Sequence, residues 1–565
     1  MKKKFIYLLT GILGLTVSCG EEFTELTPLG TLSNDQLANA QGVDLKLTAA
    51  YSVLDGQRND LSGNGFAVSS DNWWFDVISD DAHKGSTDGD QLPLFQVETY
   101  DWQTNNEYFL GRWSALFAGV NRSNAVISLI ASLEGDDFSA KLAEARFLRG
   151  FFNFELQKIW GNVPYISEDN YVNTEFNQPN PGPIWDQIEA DFQFAIDNLP
   201  AAQDLPGRAT SWAAMSMKGK VHLYQGEYGE ALTLLQTVID QGPYSLNAEF
   251  VDNFTLAGEN SPESIFAIQF AADDAQSFNG NVGGTLNFPG GGPFNSCCGF
   301  YVPTQNLVNA FQVDGSGLPL LDTFGDSDVA NDYGINSDES FTIESDPLDP
   351  RVDYTVGRRG IDYNNFGENP GKDWVRVGFS DISGPYLPKK NIYYAGEGAN
   401  MGTGGWGQQH SGVNYNIIRF SDVLLMAAEA AVEKTNPDLP LALNYVNRVR
   451  NRAKNMTPEQ AEDGSGPAAN YDVEPYPSFG SVEYARKAVR FERRLELAME
   501  GHRFFDLARW GVASQVLNEY VQDETRTISN FGPKTKSFQA HMKILPIPQD
   551  AIDLSQNVLT QNPQY

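Results

Sequence analysis

The sequence predicts a mainly α protein in which tetratricopeptide-like helix pairs pack against an irregular, loop-rich region carrying short strands. Three observations predict it. Small and breaking residues recur at tetratricopeptide spacing within residues 212–245, and a weaker copy lies near the C-terminus. Of the 52 glycines, 25 fall within residues 251–415. Glycine weakens helix and strand alike, so that concentration marks a loop-rich middle between two helical flanks. Helical repeats are therefore expected at about 36–250 and 416–515, with the irregular region at about 251–415.

The chain opens with Lys2, Lys3 and Lys4, an apolar run from Phe5 to Val17, and then Ser18-Cys19-Gly20. Thirteen residues at ~1.5 Å each cannot cross a hydrocarbon layer ~30 Å thick. A basic head, a short apolar middle and a small-residue end describe a secretion signal over residues 1–18. Leu15-Thr16-Val17-Ser18-Cys19 resembles a relaxed bacterial lipobox, which implies that Cys19 is lipidated and begins a mature domain of residues 19–565. Several acyl chains, at about 0.8 kcal/mol per buried CH₂, anchor a folded domain durably.

Helix pairs follow in order. Residues 36–54 pair with 106–132, and Ala140 to Trp160 with Ile184 to Leu199. The clearest pair carries Gly219, Ala231 and Pro243 at 12-residue intervals, the small and breaking positions of a 34-residue repeat. Leu223, Leu235 and Val238 would fill its seam, while His222 stands where an aromatic is usual. The weaker copy spans Arg419 to Lys454, with Ala430 and Ala442 at the small positions. Such pairs bury their apolar faces only by stacking, so several are expected together.

Lys and Arg number 39 against 73 Asp and Glu, a formal net charge of −34. That surplus repels phosphate backbones, so no nucleic-acid partner is expected, and it excludes polybasic attachment to anionic lipid. Cys297 and Cys298 are adjacent and lack a CxxC or His partner nearby, which makes a poor zinc site. The Asp/Gly stretches at 87–90 and 325–328 lack the spaced ligands of a calcium loop and read as solvated turns. No HExxH, GxSxG or P-loop pattern occurs. No cofactor, metal or catalytic residue is assigned.

The most distinctive run is Arg490-Phe491-Glu492-Arg493-Arg494-Leu495-Glu496-Leu497-Ala498-Met499-Glu500-Gly501-His502-Arg503-Phe504-Phe505-Asp506-Leu507-Ala508-Arg509-Trp510-Gly511. Its spacing predicts a helix, a Gly stop and a second short helix, with ion pairs along the first helix. In order before it come Ala145-Arg146-Phe147-Leu148-Arg149-Gly150, Trp160-Gly161-Asn162-Val163-Pro164, the segment Pro303 to Phe311, Asp349-Pro350-Arg351 and Ile418 to Leu425. Leu545-Pro546-Ile547-Pro548 follows it. Together these segments resemble the SusD/RagB family of surface nutrient-binding lipoproteins of Bacteroidetes. The resemblance implies a SusD-like domain at the cell outer membrane, surface-exposed and lipid-anchored. It further implies non-catalytic capture of oligo- or polysaccharide and delivery to a TonB-dependent, SusC-like transporter. A RagB-like peptide-capturing lid and, further off, a surface glycoside hydrolase are the alternative readings.

A sugar presents an apolar C–H face ringed by hydroxyls, so its site needs exposed aromatic platforms beside hydrogen-bonding side chains. Trp113, Trp160, Trp185, Trp212 and Trp510 fall on helices and read as core. In Asp71-Asn72-Trp73-Trp74-Phe75-Asp76, neighbouring tryptophans cannot both face inward on a strand or one helix stripe. Trp73 and Trp74 are therefore candidate ligand platforms, with Asp81 and His83 in the loop that follows. Tyr301, in Gly-rich surroundings, and Trp374 complete the candidate set; Trp374 and Trp406, in polar, Gly-containing loops, are its weaker members.

Overall fold

The computed structural model describes residues 34–56, 63–135, 137–272, 280–281, 283–294, 298–376, 384–390, 392–398, 401–404 and 407–565. The expected signal, Cys19, Cys297 and Trp406 lie outside them. No helix among the described residues is long and apolar enough to cross a membrane.

In chain order the first half contains α1 (Ala40–Tyr51), α2 (Trp73–Ile78), β1 (Ala82–Gly85), α3 (Leu92–Glu98), α4 (Glu107–Ala131) and α5 (Ser139–Trp160). It continues with α6 (Trp185–Asn198), α7 (Ser211–Gln225), α8 (Tyr228–Gln241) and β2 (Ser264–Ile268). The middle holds β3 (Phe300–Pro303), α9 (Gln305–Ala310), β4 (Val356–Gly357), β5 (Leu387–Pro388), β6 (Met401–Gly404), β7 (Gly407–Ser411) and β8 (Tyr415–Arg419). The last third comprises α10 (Phe420–Glu433), α11 (Leu439–Asn455), α12 (Val482–Leu497), α13 (Arg503–Arg509) and α14 (Ala513–Thr527).

The long helices form one stack in which each packs on the next: α1, α4, α5, α6, α7, α8, α10, α11 and α12. Local chemistry sets their ends. Asn106, Thr210 and Ser481 accept hydrogen bonds from the backbone of the first turns of α4, α7 and α12, satisfying otherwise orphaned N–H groups. Gly226, at φ 77°, closes α7 in the left-handed region. Within the α7–α8 pair, a Cβ on Gly219 would lie 2.8 Å from the Leu235 side chain, so only glycine permits this approach. His222, in the aromatic position, fits differently from a ring in a seam. Its Nδ1 lies 2.6 Å from Glu227 and its Nε2 3.7 Å from Glu189. These three residues are the one grouping of candidate metal ligands among the described residues. With a carboxylate near each ring nitrogen, they form a polar contact joining α6 to the α7–α8 turn.

The strands are short and pair antiparallel in twos: β1 with β3, β2 with β8, β4 with β5, and β6 with β7. Val302 of β3 and Leu387 of β5 join Phe288, Phe294, Tyr363 and Val375 in a small apolar cluster separate from the main core. The β2–β8 ribbon leads directly into α10, so the irregular region is fastened to the helices through the start of the second helical flank.

Charge provides the other fastening, an ion-pair network that locks helices together. Glu492 and Glu496 of α12 pair across to other elements, while the exposed Glu483 lies 4.0 Å from Lys487 on the same helix. Arg351 contacts Asp349, Glu492 and Glu496 at 2.7, 2.8 and 2.9 Å, and Arg450 meets Glu492 at 2.8 Å. Arg419 holds Glu263 and Glu500 at 2.9 Å each, and Lys390 reaches Glu500 at 2.7 Å. The side chains of Arg351, Arg450, Arg419, Lys390 and these partners are all buried. Burial alone would raise the Glu496 pKa, but Arg452, Arg419 and Arg351 around it hold the carboxyl far below its ordinary range. The run that looked most distinctive in the sequence is thus the bolt between helices and loops.

Candidate functional site

Five of the six candidate residues come together, but beneath the surface. Helix α2 is one and a half turns long and enclosed on every side, so the argument that one of two adjacent tryptophans must reach the surface fails. Trp73 and Trp74 are 1% and 0% exposed. Their indole N–H groups donate to the carbonyls of Phe66 and Ala67 at 3.0 and 3.3 Å. Asp81 is buried against Arg494 at 2.9 Å. His83 lies between Glu98 and Glu524 at 3.0 and 2.9 Å. Burial would lower its pKa, but its hydrogen bonds to those two carboxylates prevail and lift it to about 9. Tyr301 packs edge-on against Trp73 at 5.6 Å and donates its hydroxyl to Asp76 at 2.6 Å. Burial, with Asp81 nearby, pushes the Asp76 carboxyl up to about 8. His83 and Tyr301 lie on the β1–β3 ribbon itself, where Ala82 pairs with Pro303 and His83 with Val302, and α2 with its two tryptophans packs against that ribbon. All five candidates are corrected from ligand contacts to buried supports.

Trp374 is the candidate that stays half-exposed. It sits on the short helix Lys372–Arg376, over the Gly290–Pro293 run. Gly292 has φ 66°, and a Cβ there would lie 2.7 Å from the indole, so glycine lets the backbone lie flat against one part of the ring. Tyr363 braces the ring edge-on at 6.2 Å. Gly290 donates to the Val375 carbonyl at 2.9 Å, fixing loop to helix. Half-buried Phe366, 4.8 Å from Phe294, extends the apolar surface.

Polar groups border this shelf. Asp373 is exposed beside Trp374. Arg376 bonds the Cys298 carbonyl at 2.6 Å, Asp90 at 3.2 Å, and Ser86. Cys298 is disulfide-bonded. Loop 85–90 is shaped from within by the buried Lys84 ammonium, which donates to the carbonyls of Gly85, Thr87 and Asp90 at 2.7, 2.8 and 3.0 Å. Ser86 donates to Asp90 at 2.7 Å. An indole held by backbone on a half-buried shelf, with the exposed Asp373 next to it in the chain, offers an aromatic surface to the C–H groups of a ring-shaped polyol. Phe366, Arg376 and Asp90 were not legible as site residues. The usable signal was the polar, Gly-containing loop around Trp374, weaker in the sequence than the Gly-rich surroundings of Tyr301.

The other half of the 80–81 pair also faces inward. Asp80 receives Arg503 at 2.8 Å and Arg494 at 3.2 Å. Burial would raise its pKa, but those two guanidinium groups bring it well below the carboxylate range.

Comparison with known proteins places this architecture. The profile described as "SusD family" matches residues 262–565, and one described as "Starch-binding associating with outer membrane" matches residues 43–223. The SusD-like protein P25 of Formosa agariphila is 26% identical over 471 residues, covering 78% of this chain and 76% of the relative. Among solved structures, a laminarin-binding SusD-like protein superposes with a TM-score of 0.65 at 23% identity, over 93% of this chain and 100% of its own. The surface glycan-binding protein A of Bacteroides thetaiotaomicron, in complex with laminarihexaose, gives 0.62 at 22% identity, over 93% and 99%.

Proposed function

The chain belongs to the SusD family, and from that premise we propose a non-catalytic glycan-binding lipoprotein of the outer membrane. Tethered through Cys19 and exposed at the cell surface, it captures oligo- or polysaccharide and hands it to a TonB-dependent, SusC-like transporter. The observation that carries the reading is Trp374: a half-exposed indole braced by Gly292 and Tyr363, with Asp373, Asp90 and Arg376 close by. The glycan ligands of the two structural relatives support the ligand class, and the second family description supports the membrane association. Surface tethering adds avidity to a modest site, because cargo released from one copy meets another at once.

A glycan array probed with residues 20–565, followed by a reducing-sugar assay on each hit, tests this reading. Retention of at least one glycan without release of new reducing ends is expected. Binding of peptides but no glycan, or release of reducing ends, contradicts it.

A further inference from the structure

A second cleft, of about 530 Å³, opens between α12, α13, α14 and the loop at 321–326. We propose that it is an additional saccharide site, separate from the Trp374 shelf. The inference rests on the glycan-binding reading above.

Its walls carry aromatic surface. Phe324 and Phe491 meet edge-to-face at 5.4 Å, and half-exposed Trp510 lies across from them. The Trp510 ring is fixed, since its N–H donates to Glu429 at 2.8 Å. Arg490 lies over that ring at 4.8 Å from its centre. The Arg490 Nε–H is buried without an acceptor, and its ion-pair partner Glu433 is 3.5 Å from Nη2. A guanidinium in that condition gains from an oxygen arriving in the cleft.

The charge balance selects among ligands. The lining holds Lys487, Arg490, Arg494, Arg503 and Arg526 with Asp80, Asp322, Asp326, Glu519 and Asp523, five cations and five anions, of which buried Asp80 is already held by Arg494 and Arg503. An acidic ligand would meet carboxylates along with the guanidinium groups and find no net field. A neutral polyol fits both, with hydroxyls donating to the exposed carboxylates and accepting from Arg490, and its C–H groups against the half-buried edges of Phe491 and Trp510. Two such sites on one molecule would engage separate stretches of a long glycan and raise its avidity.

The test labels residues 20–565 with 5-fluorotryptophan and assigns the Trp374 and Trp510 resonances with Trp374→Phe and Trp510→Phe. Laminarihexaose and neutral α-glucan, mannan and xylan oligosaccharides are the probes. A saccharide that shifts both resonances, with the Trp510 response weakened fivefold or more in Arg490→Met and the Trp374 response unchanged, supports the second site. A saccharide that shifts Trp374 alone, or a Trp510 response indifferent to Arg490→Met in a folded variant, overturns the second site and leaves the first intact. Silence at both resonances across all probes overturns the glycan reading and this inference together.

Discussion

Trp73 and Trp74 invest their ring area in the core, so their variants report stability and not ligand contact. Trp73→Phe removes the hydrogen bond to the Phe66 carbonyl and part of the buried ring, and is expected to cost about 1–3 kcal/mol in urea unfolding. His83 makes a pH-dependent contribution. Its pKa is raised from an ordinary 6.5 to about 9 in the fold. The stabilisation is therefore complete below about pH 6.5 and disappears as pH rises through about 9. At about 1.4 kcal/mol per pKa unit, the full effect is of the order of 3 kcal/mol. Melting curves of wild type and His83→Asn should lie far apart at pH 6 and converge toward pH 10. A gap that widens with pH would contradict the assigned protonation.

At the scale of elements, two contacts hold distinct parts together. In the α7–α8 pair the Gly219 position is set against Leu235 at 2.8 Å from a would-be Cβ. Gly219→Val is expected to lose about 1–3 kcal/mol by forcing the helices apart. The buried network centred on Arg351 joins the irregular region to α12. Arg351→Met leaves Asp349, Glu492 and Glu496 without that guanidinium, and should lose about 3–5 kcal/mol. The exposed pair of Lys487 with Asp322 offers the contrast. Lys487→Ala should change the unfolding midpoint by less than about 1 kcal/mol equivalent. Equal losses from both would refute the view that burial makes the difference.

For the molecule as a whole, helix periodicity and repeat spacing were legible because they are local. Gly219, Ala231 and Pro243 announce their pair within 34 residues. What the sequence could not convey is which short segments become enclosed. Asp81 is buried because Arg494, more than four hundred residues later, reaches it. His83 is enclosed by Glu524 in the same way. The ribbon of β1 with β3 brings Tyr301 to Trp73 as expected of a shared site, yet both are buried, with α13 packed against α2, while Trp374 stays half-buried. Periodicity assigns a residue to a face; only the packing of distant elements decides whether that face meets water.

The proposed function places the ligand at the Trp374 shelf and not at the buried tryptophans. Calorimetric titration of the glycan retained on the array, into wild type, Trp374→Ala and Trp73→Phe, tests it most directly. Loss of a stacking platform predicts an affinity for Trp374→Ala weaker by about tenfold, since about 1.4 kcal/mol is at stake. Trp73→Phe, checked to be folded, should bind as wild type does. Unchanged affinity in Trp374→Ala together with a loss in Trp73→Phe would contradict the account.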